Sequence, residues 1–254
     1  MKVRLNLRKR KTKRPEICLS LSCKNLLEVK HEIAEFGQYA QIIEWCADSM
    51  EGAYGYTKES FLEDAKEVKK LCGRKTLSID YKAADGEEVE AAVRKANRVM
   101  GWAVEVADMI DIDADNPEIE RLIKMAKRKR VKTEVSHHEF SRMPDRNEIA
   151  EMFIRLEKTG GDILKVACFA AEEVDTYSIL EGASAYSQLS GAKPIVAIAM
   201  GEEGRVSRIC AGDFGSVISY ACGSVPTAPG QFNARQLSNY MDKYYKEEKK
   251  WITS

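Results

Sequence analysis

The chain has 254 residues, the usual length of one large α/β domain or of two small ones. Lysine plus arginine and aspartate plus glutamate number 40 each, so no overall field attracts nucleic acid to the chain. No apolar run approaches the roughly 18 residues that a membrane span needs, and no signal peptide opens the sequence. We therefore expect a protein that binds neither nucleic acid nor a membrane.

The N-terminal residues are the exception to this charge balance. Residues 1–14 read MKVRLNLRKRKTKR, and a segment this basic is typical of a solvated arm or a short hairpin. The alternative, an arm that binds RNA or a membrane surface, lacks the aromatic residues that such a role uses. No linker rich in proline or glycine divides the chain. We predict a single domain over residues 1–254, with residues 1–15 as its basic arm or hairpin.

Eight short segments in chain order have strand character: 16–21, 41–46, 76–81, 107–113, 131–136, 162–168, 194–200 and 213–220. The segments between them show apolar residues at the three- and four-residue spacing of helices, and the last interval has room only for a brief helix around 203–211. Strands alternating with helices are typical of a parallel sheet, and eight such units in this length predict a (β/α)8 TIM barrel. The alternative is an open doubly wound sheet, but no glycine-rich turn follows the first strand.

The seven cysteines are odd in number and widely spaced, and no C-x-x-C motif occurs: Cys18, Cys23, Cys46, Cys72, Cys168, Cys210 and Cys222. This spacing argues against a zinc site. It is typical of a protein of the reducing cytoplasm that uses cysteines as small hydrophobic residues.

Enzymes with a (β/α)8 barrel carry their active sites at the C-terminal ends of the strands. Ionisable and polar residues concentrate at those positions here: Glu44, Cys46, Asp48, Asp80, Tyr81, Lys82, Asp111, Asp113, His137, His138, Arg208, Thr227 and Gln231. Pro229 and Gly230 lie in the same loop as Thr227 and Gln231. The sequence therefore favours an enzyme over a purely structural barrel.

Lys165 stands within the apolar segment GGDILKVACFA, residues 160–170. A buried lysine is unfavourable by several kcal/mol unless its charge is neutralised or paired. In a medium of low dielectric the amine loses its proton more easily, and the neutral amine forms an imine with a ketone. The alternative is a lysine at the edge of the barrel whose ammonium group reaches solvent.

The histidines suggest a base for such chemistry. An imine acidifies the neighbouring carbon, so that a histidine can remove a proton there. His137 and His138 are adjacent on one strand and point to opposite faces, so at most one of them can act with Lys165. His31 lies in a predicted helix and is expected at the surface, and Cys168 is interpreted as packing.

Several segments together resemble the type I 3-dehydroquinate dehydratase family: RPEICLSL (14–21), IIEWCADSM (42–50), DMIDID (108–113), EVSHHEFSRMP (134–144), GGDILKVA (160–167) and the long segment 194–231. The resemblance implies a (β/α)8 barrel, often a homodimer, without metal or organic cofactor. It implies a lyase of the shikimate pathway that dehydrates 3-dehydroquinate to 3-dehydroshikimate.

The resemblance also implies roles for individual residues. Lys165 would form the imine, and His138 rather than His137 would remove the proton and protonate the departing hydroxyl. Arg208 would hold the substrate carboxylate. The further substrate-binding positions that it implies are Glu44, Thr227 and Gln231.

Three positions depart from the family pattern. Cys46 and Asp80 stand where the family carries substrate-binding arginines, and Ala84 stands where it carries the acidic residue that orients the histidine, a role open to Asp85 or Glu87. These departures predict weakened activity on dehydroquinate, or a lyase or aldolase for another keto carboxylate. A third alternative is a non-catalytic barrel that keeps a carboxylate pocket.

Overall fold

The structure is a computed structural model, and it describes residues 14–82 and 89–252. The predictions for the basic arm before Arg14 and for Ala84, Asp85 and Glu87 fall outside these ranges.

Eight parallel strands form one sheet in the order β7-β6-β5-β4-β3-β2-β1-β8. They are β1 Glu16–Leu21, β2 Ile42–Cys46, β3 Thr76–Asp80, β4 Met109–Asp113, β5 Lys132–Glu139, β6 Ile163–Phe169, β7 Ile195–Met200 and β8 Ile218–Cys222. Strands β7 and β8 are joined by a parallel bridge between Ile195 and Ser216, and the amide of Val217 donates to the carbonyl of Ile195 at 2.8 Å. The sheet therefore closes into a barrel, which confirms the (β/α)8 prediction and excludes the open doubly wound sheet.

A helix follows each strand. The helices are α1 Leu26–Phe36, α2 Lys58–Cys72, α3 Val89–Ala103, α4 Ile119–Lys129, α5 Arg146–Lys158, α6 Asp175–Ser187, α7 Ser207–Cys210 and α8 Ala234–Ile252. The brief helix expected before the last strand is α7. Side-chain capping hydrogen bonds set several helix starts. Asp145, for example, accepts hydrogen bonds from the amides of Asn147 and Glu148, and the Glu148 side chain accepts one from the Asp145 amide.

The alternation of side chains along each strand creates two separate cores. One core lies between the barrel and its helices, where Trp45 of β2 stacks on Phe61 of α2 with 5.8 Å between ring centroids. The second core lies inside the barrel and includes Cys18, Met109 and Tyr220. Residues two positions along from these, on the same faces of the strands, also point into the barrel. This periodicity brings the candidate site residues together.

None of the helices in the described part of the chain combines the length and the hydropathy required to span a bilayer. All seven cysteines are unpaired thiols, and six of them are buried, as expected for cysteines used in packing.

Phe61 provides a test of the outer core, because its side chain is 0% exposed and contacts Trp45, Tyr56 and Trp102. We expect Phe61→Ala to lower the free energy of unfolding by about 3–5 kcal/mol, through lost burial and the cavity left behind. Urea denaturation measures the loss. The matched control is Phe140→Ala, which removes a phenylalanine that is 65% exposed and should change the free energy by about 0.5 kcal/mol or less. Equal losses in the two variants would contradict this packing.

Candidate active site

Lys165 lies inside the barrel, and only 5% of it is exposed. Its Nζ atom is 2.5 Å from Oδ2 of Asp111 on β4 and 3.0 Å from Oε1 of Glu134 on β5. The same atom lies 4.3 Å from the ring centroid of Tyr220 on β8. Lys165 is therefore a paired, buried ammonium, and the alternative of an edge lysine reaching solvent is wrong.

The register of the parallel strands brings these groups together. Asp111 is the register partner of Glu134 across β4 and β5, and Ser136, two residues after Glu134, is the partner of Lys165 across β5 and β6. Because residues two apart share a face of a strand, Glu134, Ser136 and His138 all project into the barrel.

The carboxylates reverse the effect of burial on Lys165. Burial alone would lower the pKa of the Lys165 ammonium, but Asp111, Glu134 and Glu44 together hold that pKa well above its ordinary value. The expectation that the low dielectric leaves the amine neutral is therefore wrong for the free protein. Lys165 carries its charge until substrate arrives.

One ammonium cannot balance the charge of three buried carboxylates. The pKa values of Asp111 and Glu134 are accordingly shifted in opposite directions. Burial would raise the pKa of Asp111, yet the contact with Lys165 lowers it, so Asp111 is ionised. Burial, reinforced by the charge of Asp111, raises the pKa of Glu134 to about 7 despite the nearby ammonium. Oε1 of Glu44, Oδ1 of Asp111 and Oε2 of Glu134 accept no hydrogen bond within the described ranges.

Glu44, Asp111 and Glu134 are also the residues whose arrangement could hold a cation, since an oxygen of each lies within 4.8 Å of the others. The Lys165 ammonium already contacts two of them and supplies the positive charge that such a group requires. The geometry is accordingly explained by an amine between carboxylates.

His138 sits on β5 opposite Ala167 of β6, two residues beyond Lys165. Burial and the ammonium groups of Lys165 and Lys82 lower the pKa of His138 to about 3, so its imidazole is neutral. Its neighbour His137 is paired with Val166, whose side chain belongs to the core between barrel and helices. Of the two histidines, the structure brings His138 to the lysine.

The loop after β8 is tied across the ends of β1 and β2. The Thr227 hydroxyl donates to the Ser20 hydroxyl at 3.2 Å, and that hydroxyl donates to Oε2 of Glu44 at 2.6 Å. The side-chain oxygen of Gln231 accepts from the amides of Thr227 and Ala228 at 2.7 and 3.1 Å. Hydrogen bonds through Ser20 and within the loop therefore link Glu44, Thr227 and Gln231, whose role in substrate binding stays a prediction.

Arg208 enters from α7 as a second buried cation, 2% exposed. Its guanidinium donates to the backbone carbonyls of Gly230, Pro229 and Tyr220 at 3.1, 3.0 and 3.3 Å. No carboxylate pairs with it in the part of the chain that is described. Burial, together with the charge of Arg205, lowers the pKa of Arg208 to about 10. An uncompensated buried cation of this kind favours a bound anion.

Gly230 allows the loop to approach Arg208. Its φ of 72° lies in the left-handed region, and a Cβ atom there would collide with the carbonyl oxygen of Gly201. The Gly201 amide in turn donates to the Pro229 carbonyl at 3.2 Å. The backbone of the loop is thereby packed directly on the end of β7.

Cys46 and Asp80 are register partners at the ends of β2 and β3. Burial raises the pKa of Asp80 to about 8, although the Lys82 ammonium at 3.6 Å opposes the shift. Burial and Glu44 raise the pKa of the Cys46 thiol, whose sulfur lies 3.5 Å from the Ser20 hydroxyl. At neutral pH this corner presents an uncharged thiol and a largely protonated carboxyl group.

Sequence reasoning missed three members of this cluster. Glu134, Tyr220 and Ser20 were not among its candidates, and Asp111 was noted only as a residue at a strand end. The alternation along β5 held the signal for Glu134, because placing His138 inside the barrel also places Glu134 inside.

Comparisons with known proteins point to one family. A model of the type I 3-dehydroquinase family matches residues 17–248 of the chain. A 3-dehydroquinate dehydratase of Clostridioides difficile strain 630 is 25% identical over 258 residues, which cover 92% of this chain and 93% of the relative. A 3-dehydroquinate dehydratase of Bacillus licheniformis is 28% identical over 244 residues, which cover 90% of this chain and 91% of the relative.

A solved structure supports the fold. The crystal structure of a type I 3-dehydroquinate dehydratase from Clostridium difficile, with covalently modified comenic acid, matches with a TM-score of 0.81 at 23% identity. The match covers 92% of this chain and 94% of that one.

The role of Lys165 as counter-ion has a measurable consequence. We expect Lys165→Met to lower the free energy of unfolding at neutral pH by about 3–5 kcal/mol, because it leaves buried carboxylates unpaired. Those carboxyl groups then bind protons more tightly in the folded than in the unfolded chain, so the deficit shrinks as the pH falls from about 7 to about 4. Urea denaturation at the two pH values measures this.

The control is Lys82→Met, which removes an exposed ammonium beside Asp80 and should lower the free energy by about 1 kcal/mol or less. A deficit for Lys165→Met that does not depend on pH would contradict the electrostatic account.

Proposed function

The chain belongs to the type I 3-dehydroquinase family, and from this premise we propose that it dehydrates 3-dehydroquinate to 3-dehydroshikimate through an imine at Lys165. The observation that carries the proposal is the buried ammonium of Lys165, held by Asp111 and Glu134 beside the neutral imidazole of His138. Because this dehydration breaks a carbon–oxygen bond by elimination, the protein is a carbon–oxygen lyase.

The first steps use the lysine. The Nζ atom of Lys165, once deprotonated, attacks the ketone carbon, and the carbonyl oxygen leaves as water to give an iminium ion. The iminium acidifies the adjacent C–H bond. His138 takes that proton, and the electron pair of the C–H bond forms an enamine.

The enamine then expels the β-hydroxyl group, which His138 protonates as it leaves. Hydrolysis of the imine releases the product and returns the amine to Lys165. Asp111, which stays ionised, supports the positive charge on nitrogen throughout.

The substrate carboxylate pairs with Arg208 in this proposal. The three bonds from Arg208 to backbone carbonyls use one N–H each of Nε, Nη1 and Nη2, which leaves one N–H on each terminal nitrogen. Two such donors suit a carboxylate, which would also compensate the buried charge.

The ring hydroxyls meet the opposite wall. Glu44, Thr227 and Gln231 supply acceptors and donors there, and the protonated carboxyl of Asp80 donates a hydrogen bond near the thiol of Cys46. The uncharged thiol of Cys46 and the protonated carboxyl group of Asp80 thus stand where the family carries arginines.

We also propose that the protein is cytoplasmic and a homodimer. The unpaired thiols of all seven cysteines support a reducing compartment, and the family resemblance supports the dimer. Light scattering on the purified protein tests the dimer through its mass.

A second candidate follows from the corner formed by Cys46 and Asp80. A thiol and a carboxyl group suit a keto carboxylate whose far end differs from that of dehydroquinate. The same imine at Lys165 would serve a lyase or aldolase on that substrate.

The imine itself gives the main test. We expect borohydride reduction in the presence of 3-dehydroquinate to add a covalent adduct that intact-mass spectrometry detects and peptide mapping assigns to Lys165. Lys165→Arg keeps a positive charge beside Asp111 but cannot form the imine, so it should give no adduct. Product is followed in parallel by the absorbance of dehydroshikimate.

The outcomes separate the candidates. An adduct without dehydroshikimate would favour another reaction of the same imine. A folded wild-type protein that gives no adduct with dehydroquinate but gives one with a different keto acid would favour the second candidate. Absence of any adduct would leave a non-catalytic barrel.

Asp80 gives a test of the hydroxyl-binding corner. Because its carboxyl group loses its proton near pH 8, we expect KM for dehydroquinate to rise above that pH, by up to about 10-fold for one lost hydrogen bond of roughly 1.4 kcal/mol. Asp80→Asn keeps an N–H donor at every pH and should abolish the rise. A KM that rises equally in both proteins would show that Asp80 does not bind substrate.

A further inference from the structure

Glu134 is a buried, ionisable group that the mechanism above does not use. Its side chain is 0% exposed, its Oε1 atom lies 3.0 Å from Nζ of Lys165, and the same oxygen accepts a hydrogen bond of 2.5 Å from the Tyr220 hydroxyl. We propose that Glu134, positioned by Tyr220, is the base that removes the proton from Lys165 when the imine forms. The inference rests on the proposed imine chemistry.

The reaction requires such an acceptor. An ammonium has no lone pair, so Lys165 must lose a proton before its nitrogen can bond to the ketone carbon. In total the nitrogen loses two protons between ammonium and iminium, and both leave with the carbonyl oxygen as water. Glu134 takes the first and returns it to the departing hydroxyl, while the second passes from nitrogen to oxygen after the attack. Charge and atoms therefore balance without any other reactant.

Among the described residues, the titratable groups that interact with Glu134 come from five strands: Cys18 of β1, Glu44 of β2, Asp111 of β4, Lys165 of β6 and Tyr220 of β8. In the described part of the chain, only Asp111 and Glu134 form ion pairs with the lysine nitrogen. Asp111 is the closer, but its pKa is lowered, so it binds a proton weakly. Within the described ranges, no hydrogen bond joins His138 to the lysine nitrogen, so its imidazole is not placed to accept this proton.

Glu134, in contrast to Asp111, binds a proton strongly. Its Oε2 atom is buried and accepts no hydrogen bond within the described residues, so the ionised carboxylate is poorly solvated. Burial and the charge of Asp111 raise its pKa to about 7, a value suited to accepting and returning a proton at neutral pH. Transfer from Lys165 to Glu134 turns a buried ion pair into two neutral groups, so that neither product carries an unpaired buried charge.

Tyr220 holds this carboxylate in place. Its hydroxyl binds Oε1 while its ring covers the lysine nitrogen, so one residue fixes both partners of the transfer. A donor to the carboxylate also lowers its proton affinity. Loss of the hydroxyl should therefore raise the pH at which Glu134 becomes ionised.

A purely structural role makes the opposite forecast. If Glu134 only balances the charge of Lys165, its removal lowers the proton affinity of the amine, and imine formation becomes faster. The sign of the change in rate thus separates a base from a counter-ion.

The experiment measures the rate of imine formation by rapid mixing with saturating 3-dehydroquinate and quenching with borohydride, between about pH 5.5 and 8, so that a change in KM caused by Asp80 does not affect the rate. We expect a wild-type rate that falls on the acid side of about pH 7. Glu134→Gln keeps the size of the side chain and its ability to form hydrogen bonds, but it cannot take up the proton. It should slow adduct formation at pH 8 by about 100-fold and abolish the fall in rate on the acid side of the pH profile. Tyr220→Phe should move this fall in rate to higher pH.

The matched controls come from a similar pair outside the barrel. The Tyr186 hydroxyl of α6 donates to Glu157 of α5 at 3.0 Å, and Glu157→Gln and Tyr186→Phe should leave the wild-type pH profile unchanged. Equal or faster adduct formation in Glu134→Gln, or a fall in rate at an unshifted pH in Tyr220→Phe, would overturn the inference. Should Glu134→Gln fail to fold, Tyr220→Phe decides alone. An absent adduct in the wild-type protein would instead refute the imine itself.

Discussion

The contact of the Lys165 ammonium with buried carboxylates is the interaction on which the interior of this barrel depends. Asp111 and Glu134 come from adjacent strands and meet the lysine at 2.5 and 3.0 Å, with Glu44 nearby. Each charge is tolerable only because the others are present. The arrangement holds the amine in its protonated form. Under the proposed mechanism, the same group of residues therefore both keeps the nucleophile charged in the free protein and accepts its proton when a ketone enters.

The fold was predictable because its signals are local. Each strand is a short apolar segment, each helix has its own periodicity, and a capping residue such as Asp145 marks where α5 begins. Placing His138 rather than His137 toward the lysine came from the family resemblance, and the alternation along β5 agrees with it. The resemblance to a known family supplied the reaction, and the match over residues 17–248 supports it.

The electrostatic state of the site was not predictable in the same way. Low dielectric alone argues for a neutral lysine, and only the distances to Asp111 and Glu134 show that pairing outweighs burial. Asp80 is likewise an acidic residue where the family carries an arginine, yet burial leaves its carboxyl group largely protonated at neutral pH. Such balances depend on separations of a few ångströms between residues far apart in the sequence, which composition and periodicity do not contain.

Tyr220 connects two parts of the site. Its side chain binds Glu134 beside the lysine, and its backbone carbonyl accepts from the guanidinium of Arg208. Under the proposed function, the group that binds the ketone and the group that binds the carboxylate are therefore linked through a single residue of β8, which acts as a spacer of constant length. On that proposal, a keto acid whose two functional groups are closer together or farther apart engages Arg208 or Lys165, but not both. Substrates would then be selected by the distance between their two functional groups as well as by their hydroxyl groups.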